Sequence, residues 1–221
     1  MNEPISIALA DDNYIYRVGF KRELKKIEAN IKLICEAENG EDLIEKLKSQ
    51  RPDIVLTDML MPRMDGVDAT RIIKKEYPTL LVVGLSEMHT NPYVDDFIEA
   101  GGNSYLSKES LHVDFLNAVE DLITTGYHFN TTFTKEKVES VLTKLGKKLI
   151  LRDGKRFSEK EVLVMRLISQ HKTINRMAEE LNMSVESIKK YKASLHNKLK
   201  VKKDSEIMAY AIKMGYIDMD E

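Results

Sequence analysis

The sequence predicts two folded parts of different class: an α/β part built on a five-stranded parallel, doubly wound sheet, then an all-α part. Three observations carry this. Residues 1–125 alternate short apolar runs with longer segments whose apolar residues recur about every 3.6 positions, the signature of strand–helix repetition. Three of those runs are continuously apolar, as expected of strands covered by helices on both faces. From Phe157 onward every periodic segment has helical spacing. Charge divides the chain in the same place. Residues 1–125 hold 14 Lys and Arg against 23 Asp and Glu, and residues 126–221 hold 20 against 13, although the 221-residue chain carries a net charge of only −2. An acidic part joined to a basic part points to different partners, with nucleic acid a candidate for the second.

The strands are expected at 5–9 (ISIAL), 31–36 (IKLICE), 53–57 (DIVLT), 80–85 (LLVVGL) and 104–106 (SYL). Helical spacing fills 15–27, 42–48, 67–77, 93–100 and 111–123 between and after them. A short helix follows from 135, with Thr134 as N-cap, and a polar turn at Arg152–Gly154 ends the joint. In the all-α part, Ser158 and Glu161 have the spacing of a capping box. The first helix there runs to about Gln170, and INRMAEEL (174–181) forms a short second one. Ser184 caps the third, and Asp204 caps a fourth over 205–214 that Gly215 stops. This gives residues 1–125, a linking segment at 126–152 with its short helix, and 153–221 as the organisation of the chain.

Several classes are disfavoured. Cys35 has no intramolecular partner and lies in an alternating run, where a small buried residue is the expected role. No stretch approaches the length needed to cross a bilayer, and MNEPISIALADD lacks the basic and apolar regions of a secretory signal. A cytoplasmic protein with no membrane partner is expected. His89, His112, His128, His171 and His196 lie too far apart for metal-ligand spacing and are expected in loops and on the surface.

Asp58 stands out, because it ends the apolar run DIVLTD, where a charge costs several kcal/mol unless a partner compensates it. In a parallel sheet of this kind ligands bind outside the carboxyl ends of the strands. Asp58 ends strand three and Asp11-Asp12 end strand one, its neighbour in a flavodoxin-like order. Three converging carboxylates would repel one another unless a cation holds them, and hard oxygen ligands with room for water suit Mg²⁺. Ser86 and Lys108 arrive from the ends of strands four and five. Carboxylates, a cation, a hydroxyl and an ammonium around one point make a site for a phosphoryl group.

With Met-Pro-x-Met-Asp-Gly at 61–66 and Tyr105, these residues make 1–125 resemble a response-regulator receiver domain, a (βα)5 fold. The resemblance implies that Asp58 accepts a phosphoryl group from a histidine kinase. Asp12, Asp58 and the Leu60 backbone carbonyl would ligate Mg²⁺ directly, and Asp11 through water. Ser86 and Lys108 would each bind a phosphoryl oxygen, and Tyr105 would turn inward as Ser86 moves. Glu87 and Leu60 depart from the family's pattern, so slow self-dephosphorylation and poor labelling by small phosphodonors are expected.

The basic end concentrates its charge on the third helix, with no acid between Glu186 and Asp204. Val185, Ile188, Leu195 and Leu199 are the core-facing positions by spacing. Ser184, Ser187, Lys189, Lys190, Tyr191, Lys192, Ser194 and Lys198 are the candidate DNA contacts, lysines for phosphates and short polar groups for base edges. Residues 155–217 resemble a LuxR-type helix-turn-helix, which places the chain near the NarL/FixJ class. That likeness implies a recognition helix at 185–199, and dimer contacts on the fourth helix at Ile207, Tyr210, Ala211 and Met214. It also implies an active homodimer reading inverted half-sites of promoter DNA, with RNA polymerase a possible further partner. Tyr191 stands where a His is common and Lys200 where a Gly is common. Two other readings remain open: a DNA-binding regulator that needs no phosphorylation, and a Mg²⁺-dependent phosphohydrolase with Asp58 as its nucleophile.

Overall fold

The computed structural model describes residues 4–27, 30–87, 93–109, 111–153, 155, 157–214 and 216–217; His89, Gly154 and Gly215 lie outside the described residues, as does the side chain of His112. The chain divides into two compact units, 1–149 and 150–221.

In the first unit, strands β1 (Ile5–Ala10), β2 (Ile31–Ala37), β3 (Ile54–Asp58), β4 (Leu81–Ser86) and β5 (Ser104–Ser107) form one parallel sheet in the order β2-β1-β3-β4-β5. Helices α1 (Tyr14–Lys26), α2 (Gly40–Leu47), α3 (Gly66–Glu76), α4 (Val94–Glu99) and α5 (Leu111–Thr125) alternate with them. The two-residue period of a strand sorts its side chains between two cores. Ile7, Leu9, Leu56 and Val83 pack with Leu24 of α1 and Phe115 of α5, while Ala8, Ala10, Val55 and Val82 pack with Leu43, Val67 and Phe97 of α2, α3 and α4. Both sheet faces are therefore dry, which accounts for the continuous apolar runs. Cys35 is buried and free in the second of these cores.

Of the segment expected as a link, 126–152, residues 126–149 fall in the first unit and 150–152 in the second. Helix α6 (Lys135–Lys144), capped by Thr134, buries Val138 and Val141 with Phe133 in the same core as Val94 and Phe97 of α4. Lys137 Nζ reaches Asp95 Oδ1 of α4 at 3.2 Å.

The second unit holds α7 (Glu159–Ser169), α8 (Ile174–Glu180), α9 (Val185–Leu199) and α10 (Asp204–Lys213) around Val164, Met165, Met177, Ile188, Leu195, Ile207 and Ala211. Ser158 and Ser184 cap as expected. Asp204 does not cap α10 but is its first residue; Glu206 accepts from the N–H groups of Lys202 and Lys203 instead. Among the described residues no helix is long and apolar enough to cross a membrane.

Candidate functional site

Strand ends build the acidic pocket. Asp11 follows β1, and Asp58 is the last residue of β3, which pairs with β1. Gly66 lets the start of α3 press onto this edge: a Cβ there would lie 2.3 Å from the Asp58 carbonyl oxygen. No larger residue fits that approach.

Carboxylate oxygens of Asp11, Asp12 and Asp58 lie within 4.8 Å of one another, with Asp11 and Asp58 buried and Asp12 exposed. Lys108 Nζ sits 2.8 Å from both Asp11 Oδ2 and Asp58 Oδ2, and only the contact to Asp58 has hydrogen-bond geometry. Asp58 Oδ1 accepts from the Leu60 N–H at 3.2 Å, so the amide of Leu60 is its group in contact with Asp58. Burial pushes the Asp58 carboxyl up, and Lys108 opposes that without cancelling it. Burial also disfavours the Lys108 ammonium, yet its contacts with Asp11 and Asp58 outweigh the penalty and hold it charged. The donor set fits a hard divalent cation: three carboxylates on one side of the sheet edge, with Asp11 Oδ2 buried and lacking a hydrogen bond.

Ser86 closes β4, buried, and its carbonyl accepts from the Lys108 N–H at 2.8 Å. Tyr105 lies at the same edge, on β5. Its ring is already inside, 2% exposed and edge-on to Phe97. Gly84 opposite leaves the room, since a Cβ there would meet the ring at 2.9 Å. Burial pushes its phenol up to about 12. Its carbonyl accepts at 2.6 Å from the side-chain amide of Asn130, whose own oxygen accepts from the N–H groups of Thr132 and Phe133 ahead of α6.

On the basic helix α9, Ser184, Lys189, Lys190 and Lys198 of the expected face are exposed, and Ser187, Tyr191, Lys192 and Ser194 are half-buried. Glu161, 3% exposed, accepts from the Ser158 N–H, from Ser194 Oγ and from Lys198 Nζ, each at 2.7 Å. Together they hold its carboxyl below the usual range despite burial. Lys192 Nζ is 2.5 Å from Asp204 Oδ2, and His196 Nε2 is 3.1 Å from Asp204 Oδ1. Tyr191 packs against the core. Half-buried Lys192 and Ser194 are thus engaged within the unit by acids of α10 and α7, and Tyr191 by the core, while Lys198 pairs with Glu161 yet stays exposed. Lys189 and Lys190 are exposed, along with Ala193 and Asn197 one and two turns on. Asn197, seven residues after Lys190, could have been found from the helical period. The partners of Glu161, 33 and 37 residues away, could not. Ser184 Oγ accepts from the Ser187 N–H at 3.1 Å, the cap that fixes the start of α9.

On α10, Ile207 and Ala211 are wholly buried in their own core and cannot also be a contact between copies. Tyr210 donates to Asp153 Oδ1 at 2.8 Å and packs against the rings of Phe157 and Tyr216, while Met214 packs on the same core. Two histidines are also more engaged than expected: His128 is buried with Nδ1 2.8 Å from Asp121 Oδ2, and His196 is held as described.

Comparison with known proteins agrees with this architecture. Residues 7–120 match the response regulator receiver domain, and residues 155–211 match the bacterial regulatory proteins of the luxR family. The chain is similar to response regulator UvrY of Escherichia coli K12, with 28% identity across 96% of this chain and 95% of that one. It is similar to response regulator protein VraR of Staphylococcus saprophyticus, with 26% identity across 97% and 99%. Among solved structures, Salmonella typhimurium RcsB covers 95% of this chain and 98% of its own at 26% identity and a TM-score of 0.52. An RcsB–DNA complex matches with the same coverage and identity at a TM-score of 0.51. The chain therefore belongs to the response-regulator receiver family, with a LuxR-type helix-turn-helix behind the receiver, and is a two-component transcriptional regulator of the NarL/FixJ class.

Proposed function

We propose that Asp58 is the phospho-acceptor of this regulator, taking the phosphoryl group of a histidine kinase's phosphohistidine. The observation that carries this is the meeting of Asp11, Asp12, Asp58 and Lys108 at one sheet edge. Asp11, Asp12 and Asp58, with the Leu60 carbonyl, would hold Mg²⁺, which when bound neutralises charge on the incoming phosphoryl oxygens. Asp58 supplies the attacking oxygen; Lys108 leaves its two carboxylates to meet one phosphoryl oxygen, and Ser86 meets another. Leu60, 62% exposed, has no proton to offer a leaving group or a water, which supports a stored phosphoryl group over enzymatic turnover. Tyr105, already inward, then acts less as a rotor than as a packed plug whose backbone is tied to α6.

The output is binding of double-stranded promoter DNA by the exposed stripe of α9, led by Lys189 and Lys190 and extended by Asn197, in a homodimer. The RcsB–DNA complex supports this for a relative of the same architecture. A cytoplasmic setting, with RNA polymerase as a further partner, accords with it. Incubation with a phosphodonor and Mg²⁺ should add one phosphoryl mass at Asp58, and Asp58→Asn should abolish it. Footprinting should show promoter protection rising with the phosphorylated fraction. Protection that ignores Asp58→Asn would instead favour a regulator working without phosphorylation.

A further inference from the structure

Lys108 has a neighbour that no expectation included. Its Nζ lies 4.7 Å from the centroid of the Tyr16 ring, on the first turn of α1. Tyr16 is placed there through the pocket itself. The Asn13 N–H donates to Asp11 Oδ1 at 2.8 Å, and Asn13 Oδ1 in turn accepts from the N–H of Tyr16 at 3.2 Å. The same acid that approaches Lys108 thus sets the cap that presents the ring. Burial, then the charges of Asp11 and Asp58, push the phenol up, so the ring faces the ammonium as a neutral π surface.

Lys108 also has somewhere else to go. Tyr16 and Lys108 together line a cavity of about 460 Å³ between α1 and α5, whose other walls include Phe20, Leu24, Ile27 and Phe115. A four-carbon stem with room beside it would spend part of its time away from the acids.

We propose that Tyr16 is a positioning residue of the phosphoryl site: its ring holds the Lys108 ammonium over Asp58 and keeps the stem out of the α1–α5 cavity. The inference rests on Asp58 and Lys108 being the acceptor and the phosphoryl-binding cation. When the phosphoryl group arrives, the ammonium shifts from the carboxylates to the new anion while remaining over the same ring. The aromatic face, not the hydroxyl, is the working part.

The test is the affinity of the full chain for beryllofluoride with Mg²⁺, a phosphoryl mimic, followed by ¹⁹F NMR in wild type, Tyr16→Phe, Tyr16→Leu and Tyr16→Met. Leu and Met should each weaken binding about tenfold, the scale of a desolvated cation–π contact, while Phe recovers most of that loss. In a Lys108→Ala background the Leu change should cost little more, because the ring would have nothing left to hold. Phe as weak as Leu, or an undiminished Leu effect without Lys108, overturns the proposal. Should Leu fail to fold, the Met comparison decides the same question. Wild-type affinity in Asp58→Asn or Lys108→Ala would overturn the underlying site reading, a different failure that the same titrations identify.

Discussion

The acidic pocket and the basic helix are both clusters of charge on an ordered frame, yet different forces set where their charges lie. In the pocket each group sits at the end of a strand, and a parallel sheet delivers strand ends to one edge whatever the side chains do. On α9 each charge had a choice. A helix turns successive residues by about 100°, and a lysine on the flank can reach either solvent or a nearby acid. Glu161 and Asp204 hold Ser194 and Lys192 half-buried against the unit and tether Lys198 at its edge. Charge at a strand end is positioned by topology; charge on a helix flank is positioned by whichever counter-charge the fold brings near.

The sharpest way to break that contrast is to reverse two lysines of the same helix. Lys198→Glu sets a second carboxylate against buried Glu161 and should destabilise the second unit by about 2–3 kcal/mol, below the range of a fully buried pair because Lys198 is half exposed. Lys190→Glu should leave the thermal transition in place while weakening DNA binding and flattening its salt dependence. Equal loss of stability from both would mean that α9 does not divide as described.

Next in size is Gly84→Ala, whose Cβ would meet the Tyr105 ring at 2.9 Å and Met59 Sδ at 2.6 Å. Overpacking of this kind costs about 1–3 kcal/mol, and relief requires Tyr105 or Met59 to move. A shift in the Tyr105 ring resonances accompanied by a lower transition temperature for the first unit is expected; an unchanged transition would show that the plug is loosely held.

Acid should separate the regions further. The Glu161 carboxyl lies lower folded than unfolded, so its contribution to stability is complete above the unfolded value of about 4.3 and is lost as pH falls through the depressed folded value. Calorimetry of the full chain should show the transition of residues 150–221 falling over that window, and Glu161→Gln should flatten the fall while lowering the plateau. The smallest effect is expected at Lys200, the left-handed residue that ends α9 at φ 57°. Lys200→Gly removes the cost of a Cβ there and should stabilise the unit by about 1 kcal/mol, read from a urea midpoint.

These residues also mark what the sequence made legible. Periodicity located every strand and helix, and the strand-end rule located Asp11, Asp58, Ser86 and Lys108, because those features depend on local pattern and on topology that pattern implies. Tyr16 beneath Lys108 is not legible in the sequence, since an aromatic on the first turn of an amphipathic helix looks like any core residue. The second role of Glu161 was hidden behind its capping role, which the sequence did show. Ile207 and Ala211 have the spacing of the core they fill, which a family likeness to a dimer helix obscures, and Val138 and Val141 give α6 the spacing of a packed face.

Asn130 has a practical corollary. One short side chain grips the carbonyl of Tyr105 with one end and the entrance of α6 with the other, so no slack loop intervenes between them. A reporter group on the exposed flank of α6, at Ser140 for instance, would sense any retreat of β5 as a change in its own surroundings. The chemistry at Asp58 could then be followed in real time from α6.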